Sequence, residues 1–534
     1  MIKMAAALLA RVRRGKTKYL YKTIALEVIA ALAAASVAGC GPGAGASPAD
    51  TIIYAQGADP RSLDPAIADE GESSACNVNM YEGLTKFGDN TTDIKPCLAE
   101  SWTISPDGLV YTFKLREGVK FHDGTTFDAD AVKYNIERQM PPNDLSRFPY
   151  AAFTFGYVKS VEAAGEYSVK ITLVQPYTPF LANLAMSQGA PMVSPAALKN
   201  SETGDVNENP CGTGPYRFVS WQRGVAVTMA RNDDYWGAAA LVKNLVIQIT
   251  PDNATRAAQM MTGAIDGMNG LDPPNVAAVR AKGAQIFSAE GMNVSYMAFN
   301  VRRAPFNDPA LREAVIRAVN VDELVSSLYQ GYASPAYSIL PAFMPGYNPD
   351  ARPFAYDPER AKALLEREGR SGLRIRMITY SNPRPYNTAT GTKLAAAVQS
   401  YLQKVGIEAN IAQYDWTTYK TKFSQGEGDI AFYGWVGDNG DPDNFMNLLA
   451  DQDPSINLAG YNNPEYKALI DEAAALPDGP DRDRLYQRME DMIARDGVWL
   501  PISHARSLAA YSPRLTNFSV HPTGNIFFAR IGKN

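Results

Sequence analysis

The chain has 534 residues, 46% of them hydrophobic, which suffices for several buried cores; at roughly 150 residues per domain the expectation is about three. Its 51 basic and 56 acidic residues give a net charge of −5, and the body contains no basic run, so nucleic acid is not the expected partner. Three histidines (His122, His504, His521) are too few for a histidine-rich metal site, and neither a metal nor a cofactor is expected.

In chain order, Arg11, Arg13, Arg14, Lys16, Lys18 and Lys22 precede an apolar stretch, 24–38, that is shorter than the ~20 residues a spanning helix needs. It ends in Val37-Ala38-Gly39-Cys40, an aliphatic residue, two small residues and a cysteine, which resembles a bacterial lipobox. Residues 1–39 are therefore expected to be a lipoprotein signal peptide and Cys40 the acylated residue; the alternative is an ordinary cleaved signal with a chance cysteine. The Gly/Ala/Pro-rich segment 40–50 reads as a flexible tether. Export permits disulfides. Cys76 and Cys97, close in sequence around a helix and a turn, are paired in this reading, leaving Cys211 free; the alternative is three buried thiols.

From Thr51 onward strand and helix signals alternate, as in α/β proteins. A buried strand is expected at Thr51–Ala55, a helix over Ser73–Phe87, and a half-buried strand at Val110–Leu115, where Tyr111, Phe113 and Leu115 alternate with polar residues. Asp128 caps a helix running to Arg138, and Asp308 caps another with Pro309 in its first turn. Strands over Arg374–Tyr380 and Asp429–Tyr433 surround a helix over Asn387–Val405, which Gly406 stops before a strand carrying Ile407, Ala409 and Ile411. Leu485, Met489, Met492 and Ile493 mark a last helix, followed by a strand through Trp499 and Ile502 and a strand-like tail around Ile526–Ile531. This rhythm suits parallel sheets flanked by helices. No Gly-x-Ser-x-Gly, His-Glu-x-x-His or phosphate-binding loop is present, so an enzyme is not expected.

Leu98-Ala99-Glu100-Ser101-Trp102 and the run from Asp107 through Phe121-His122-Asp123-Gly124 resemble the signature of family 5 extracellular solute-binding proteins, which serve peptide and nickel ABC importers. Gly212-Thr213-Gly214-Pro215-Tyr216, Arg231-Asn232 and Tyr235-Trp236-Gly237 resemble a second block of that family. The resemblance spans the chain from Thr51. It implies an α/β, two-lobed periplasmic-binding-protein-like fold with an inserted subdomain in lobe I. Lobe I would comprise 50–92, 210–297 and 505–534, the insert 93–209, and lobe II 298–504. His122 then falls in the insert, as a structural residue.

Arg384-Pro385-Tyr386-Asn387 and Gly434-Trp435-Val436-Gly437-Asp438 resemble segments of the family's dipeptide-binding members. Both follow carboxyl ends of strands, where α/β ligand sites lie. The resemblance gives Asp438 the ligand's α-ammonium and Arg384 its α-carboxylate. Gly437 becomes a cleft residue, Trp435 and Tyr386 are either cleft wall or core, and Asp69, Glu70 and Gly71 fall where a lobe I loop meets the peptide backbone. Asp441 and Asp443 read as caps of the next helix. The chemistry agrees: a free dipeptide is a zwitterion of fixed span, and a planar guanidinium takes both carboxylate oxygens.

The expected partners are a short peptide and ABC permease subunits, with the membrane reached by a lipid anchor only and the protein a monomer. Open alternatives are another ligand on the same scaffold (oligopeptide, haem, glutathione, nickel chelate or glycan) and a peptide sensor that does not transport.

Overall fold

The computed structural model describes residues 48–451 and 456–534. The signal peptide, Cys40 and most of the tether lie outside the described residues.

The fold is mixed α/β, built on one long sheet that passes through two lobes. In the first lobe the strand Thr51–Gln56 runs parallel to Asn244–Ile249 and to Gly267–Asn269. It is buried on both faces: Ile52 and Tyr54 enter one core, Ile53 and Ala55 the other. Side chains of successive strand residues point to opposite faces, and a central strand covered on both sides reads as a continuous apolar run. In the second lobe Arg374–Tyr380 runs parallel to Glu408–Tyr414 and Ile430–Val436, under a core that extends from Met292 to Ile502. The antiparallel partners at either end make both half-sheets mixed rather than purely parallel. A separate antiparallel sheet, Ala99–Ile104, Val110–Leu115, Ser168–Leu173 and Val158–Gly165, has its own core around Phe113, Phe121 and Phe127.

One strand joins the lobes. Trp499–Tyr511 pairs through Trp499–Ser503 with Asn293–Phe299 of the second lobe, and through Arg506–Tyr511 with Gln285–Glu290 of the first. At the crossing the buried Asn293 side chain replaces a ladder step, donating Nδ2 to the Ala505 carbonyl (2.8 Å) and accepting the Ala505 N–H (2.8 Å).

Several expected elements differ. The helix expected over Ser73–Phe87 is Gly71–Asn77 alone, and Thr85–Phe87 is a strand. Gly83 lies against the Leu184 carbonyl, a backbone approach that a side chain would block. Met80, Tyr81 and Leu84 reach apolar cores from a turn rather than a helix. The helix expected from Asn387 begins at Gly391, because Asn387 is spent fastening the preceding turn. The tail is a 3₁₀ turn, Phe528–Arg530, before a two-residue strand. Cys76, Cys97 and Cys211 are all free and buried, so the expected Cys76–Cys97 disulfide is not formed. Cys76 packs into the first-lobe core with Met80 and Tyr81, whereas the Cys97 thiol faces the Glu82 carboxylate at 3.8 Å.

Candidate functional site

Three parallel-strand ends supply the facing loops: Gln56 leads to Asp69–Glu72, Tyr380 to Arg384–Asn387, and Val436 to Gly437–Asp438. The Arg384 turn is closed by reciprocal backbone bonds between Arg384 and Asn387 (3.0 and 2.8 Å). The Asn387 side chain fixes it, accepting from Tyr329 Oη (2.8 Å) and donating to Tyr380 Oη (3.0 Å). Tyr386 is buried against Tyr380 and Tyr433, in space left by Gly434, where a Cβ would strike its ring. The Arg384 guanidinium lies over Trp416, 4.2 Å from the ring centre, a cation–π arrangement that holds the planar fork flat.

The Asp438 loop is organised by Asn444. Its Oδ1 accepts from the Asp438 N–H (3.0 Å) and from Trp435 Nε1 (2.8 Å), and its Nδ2 donates to Asp438 Oδ2 (3.3 Å). Gly437 donates its N–H to the Met292 carbonyl and packs against Met292 and Phe445, with no room for a Cβ. Asp438 retains slight contact with solvent, yet protein surrounds the carboxylate and burial pushes its pKa up to about 7. Its hydrogen-bond donors are the Asn444 amide and Tyr150 Oη (3.3 Å), the latter from the inserted subdomain. Both are neutral, so the carboxylate has dipolar partners but no hydrogen-bonded cation.

Residues of the first lobe and insert touch the second at several further points. Lys420 Nζ reaches Asp69 (3.3 Å), which also pairs with Arg61, and Arg384 Nη1 lies 3.9 Å from Glu72. Tyr177 Oη donates to Asp443 (3.2 Å), Asn439 Nδ2 to the Asn183 side chain (2.7 Å), and Thr178 Oγ1 to the Leu476 carbonyl (2.6 Å). The loops carrying Asp438 and Arg384 therefore pack directly against the insert and the first lobe.

Some expectations change. Glu70 is the N-cap of the helix Gly71–Asn77: it accepts from Ser73 N (2.9 Å), Arg61 N (3.1 Å) and the Ser73 hydroxyl, so its carboxyl already serves the helix start. Gly71 is the first residue of that helix, with open space where a Cβ would stand. Asp443 does not cap its helix; it is the first helical residue and accepts from Tyr177 and Asn447, while Asp441 binds the Asp443 N–H and pairs with Arg482. Trp435 is half-buried at the loop base. Sequence reasoning missed Glu72, Tyr150, Trp416, Lys420 and Asn444. Asn444 lay within the segment that was read; Tyr150, 288 residues from Asp438, carried no local signal.

The three imidazoles bind backbone carbonyls: His122 that of Gly214, His504 that of Asn293, His521 those of Gly88 and Thr91. Among the described residues no group of three His, Cys, Asp or Glu is arranged to hold a metal ion, and no helix is long and apolar enough to cross a membrane.

Residues 93–457 match the profile of bacterial extracellular solute-binding proteins, family 5. The chain is 33% identical to heme-binding protein A of Haemophilus influenzae, over 89% of this chain and 91% of that one. It is 31% identical to the dipeptide-binding protein of Escherichia coli K12, over 90% and 94% respectively. Among solved structures, the ABC transporter-associated periplasmic binding protein DppA from Helicobacter pylori, in complex with peptide STSA, superposes with a TM-score of 0.82 at 31% identity, covering 90% of this chain and 98% of that one. With its two-lobed fold and this match, the chain belongs to the bacterial extracellular solute-binding proteins of family 5.

Proposed function

We propose that the protein captures short peptides, foremost dipeptides, in the cleft and delivers them to an ABC importer. The observation that carries this reading is a pair of charges on the loops that follow two parallel strands: an Asp438 carboxylate surrounded by protein without a hydrogen-bonded cation, and an Arg384 held flat on Trp416. An α-ammonium at Asp438 supplies the missing positive charge, and an α-carboxylate suits the guanidinium fork. Burying either peptide terminus without such a partner costs several kcal/mol, which makes the pair selective for free termini. Asp69 stands on the first-lobe side, held by Lys420 and Arg61, Tyr386 packs in the second-lobe core and we assign it no ligand contact, and Trp435 and Gly437 set the Asp438 loop. Glu70 and Gly71 belong to the helix start beneath it, and we assign them no ligand contact.

Mass spectrometry of ligand co-purified with the protein, with calorimetric titration by the peptides found, tests this reading. Recovery of dipeptides that rebind supports it; recovery of haem or glutathione, with no heat from dipeptides, overturns it.

We further propose that Cys40 carries the lipid and that the body acts as a monomer outside the cytoplasm, without enzymatic activity. Two acyl chains on one cysteine explain stable attachment. Cell fractionation is the check: Cys40→Ala should leave the protein released or unprocessed, and a processed, membrane-bound Cys40→Ala protein contradicts the assignment.

A further inference from the structure

Arg384 already has a counter-ion. Glu72 Oε1, on the opposite lobe, lies 3.9 Å from Nη1, and the two side chains are only 19% and 15% exposed. That distance is an ion pair without a hydrogen bond. The placement of Glu72 is built in: it stands in the first turn of the helix Gly71–Asn77, whose cap Glu70 is itself tied to Ser73 and Arg61. Burial opposes its charge, but the Arg384 charge first, then a hydrogen bond with the Glu70 carboxyl and the Glu72 backbone N–H, and last the Arg256 charge, hold the Glu72 carboxyl below its ordinary value. Arg384 Nε is buried with no hydrogen-bond partner, so one edge of the fork is unsatisfied while Nη1 faces Glu72.

We propose that Glu72 is a specificity-determining residue of the cleft, a resident counter-ion with which any ligand carboxylate must share Arg384. This rests on the reading of Arg384 as the carboxylate receptor. A ligand carboxylate docking at the Nε edge comes close to a second carboxylate in a partly dry site, where like charges repel more strongly than in water. Glu72 thus lowers affinity for carboxylate-terminated peptides and has little effect on peptides whose terminus is blocked. It also neutralises Arg384 before a peptide arrives and ties the two lobes together, so that peptide binding exchanges one partner of Arg384 for another.

The test uses the full protein and Glu72→Gln, which keeps the shape and removes the charge, with Glu72→Ala as a second variant. Each is titrated calorimetrically with a free dipeptide and with its C-terminal amide, and the peptide-free proteins are compared by small-angle X-ray scattering. Both variants should bind the free dipeptide about tenfold more tightly than the native protein, a magnitude set by removing one like charge in a partly buried site. The amide should shift less than about threefold, and the peptide-free variants should have a larger radius of gyration. Weaker binding of the free dipeptide, or equal shifts for both ligands, overturns the proposal. Should the native protein bind no dipeptide at all, the peptide reading falls. The scattering then decides on Glu72 alone: more open variants support the counter-ion, and unchanged ones refute it.

Discussion

Asp438 is the residue whose protonation should report binding. In the closed cleft its pKa is pushed up to about 7 by burial, with the Asn444 and Tyr150 hydrogen bonds pulling the other way. An ammonium placed against the carboxylate favours its charged form and lowers that pKa. Between about pH 4, the ordinary carboxylate value, and about 7, peptide binding should therefore release a proton. Affinity should rise with pH across that window and level off above it. Calorimetry in buffers of different ionisation enthalpy measures the proton directly; Asp438→Asn should abolish the release, and an unchanged release would place the proton elsewhere. Asp438 and Arg384 could be picked out in the sequence because each sits in a short motif after a strand, and both strands form as expected. Glu72 and Tyr150 could not: their parts depend on the first lobe and insert folding back over the second, a contact that no local pattern encodes.

At the scale of elements, strand positions were the most legible, since period-2 alternation and buried apolar runs register directly in composition. Helix limits were less so. Asn387 looked like a helix start, but its amide is spent on Tyr329 and Tyr380, and the helix waits for Thr390 as its cap. Met80, Tyr81 and Leu84 fall in the segment expected as a helix, yet Gly83 lets the backbone run against Leu184 and the residues serve different cores. The crossing strand was visible only in its first half, and its join between the lobes is fastened by Asn293, whose polarity gave no hint of burial. Asn293→Ala should leave the Ala505 N–H and carbonyl unpaired at the crossing, at a cost of about 2–4 kcal/mol for two buried groups. The denaturant midpoint measures this: a marked drop is expected, and a midpoint within experimental scatter of the native value would mean the crossing does not rely on this side chain.

Across the whole molecule, family and two-lobed architecture were legible because the matching motifs are long and spread along the chain, and residues 93–457 bear them out. The cysteines were not, because spacing of the kind that suggests a bridge says nothing about which core each thiol enters; Cys76 and Cys97 enter different surroundings. What the folded molecule adds is the contact of the second-lobe loops bearing Asp438 and Arg384 with Tyr150 and Glu72 of the insert and first lobe. The central claim is that Asp438 and Arg384 read opposite ends of one peptide. Calorimetry of native protein, Asp438→Asn and Arg384→Ala with a free, an N-acetylated and a C-amidated dipeptide tests it most directly. Each substitution should weaken the free dipeptide by about 2–5 kcal/mol, the range for losing one side of a buried charge pair. The amide should bind native protein poorly and lose little more in Arg384→Ala, and the acetylated peptide should behave likewise in Asp438→Asn. Equal binding of free and blocked dipeptides by the native protein would contradict the account.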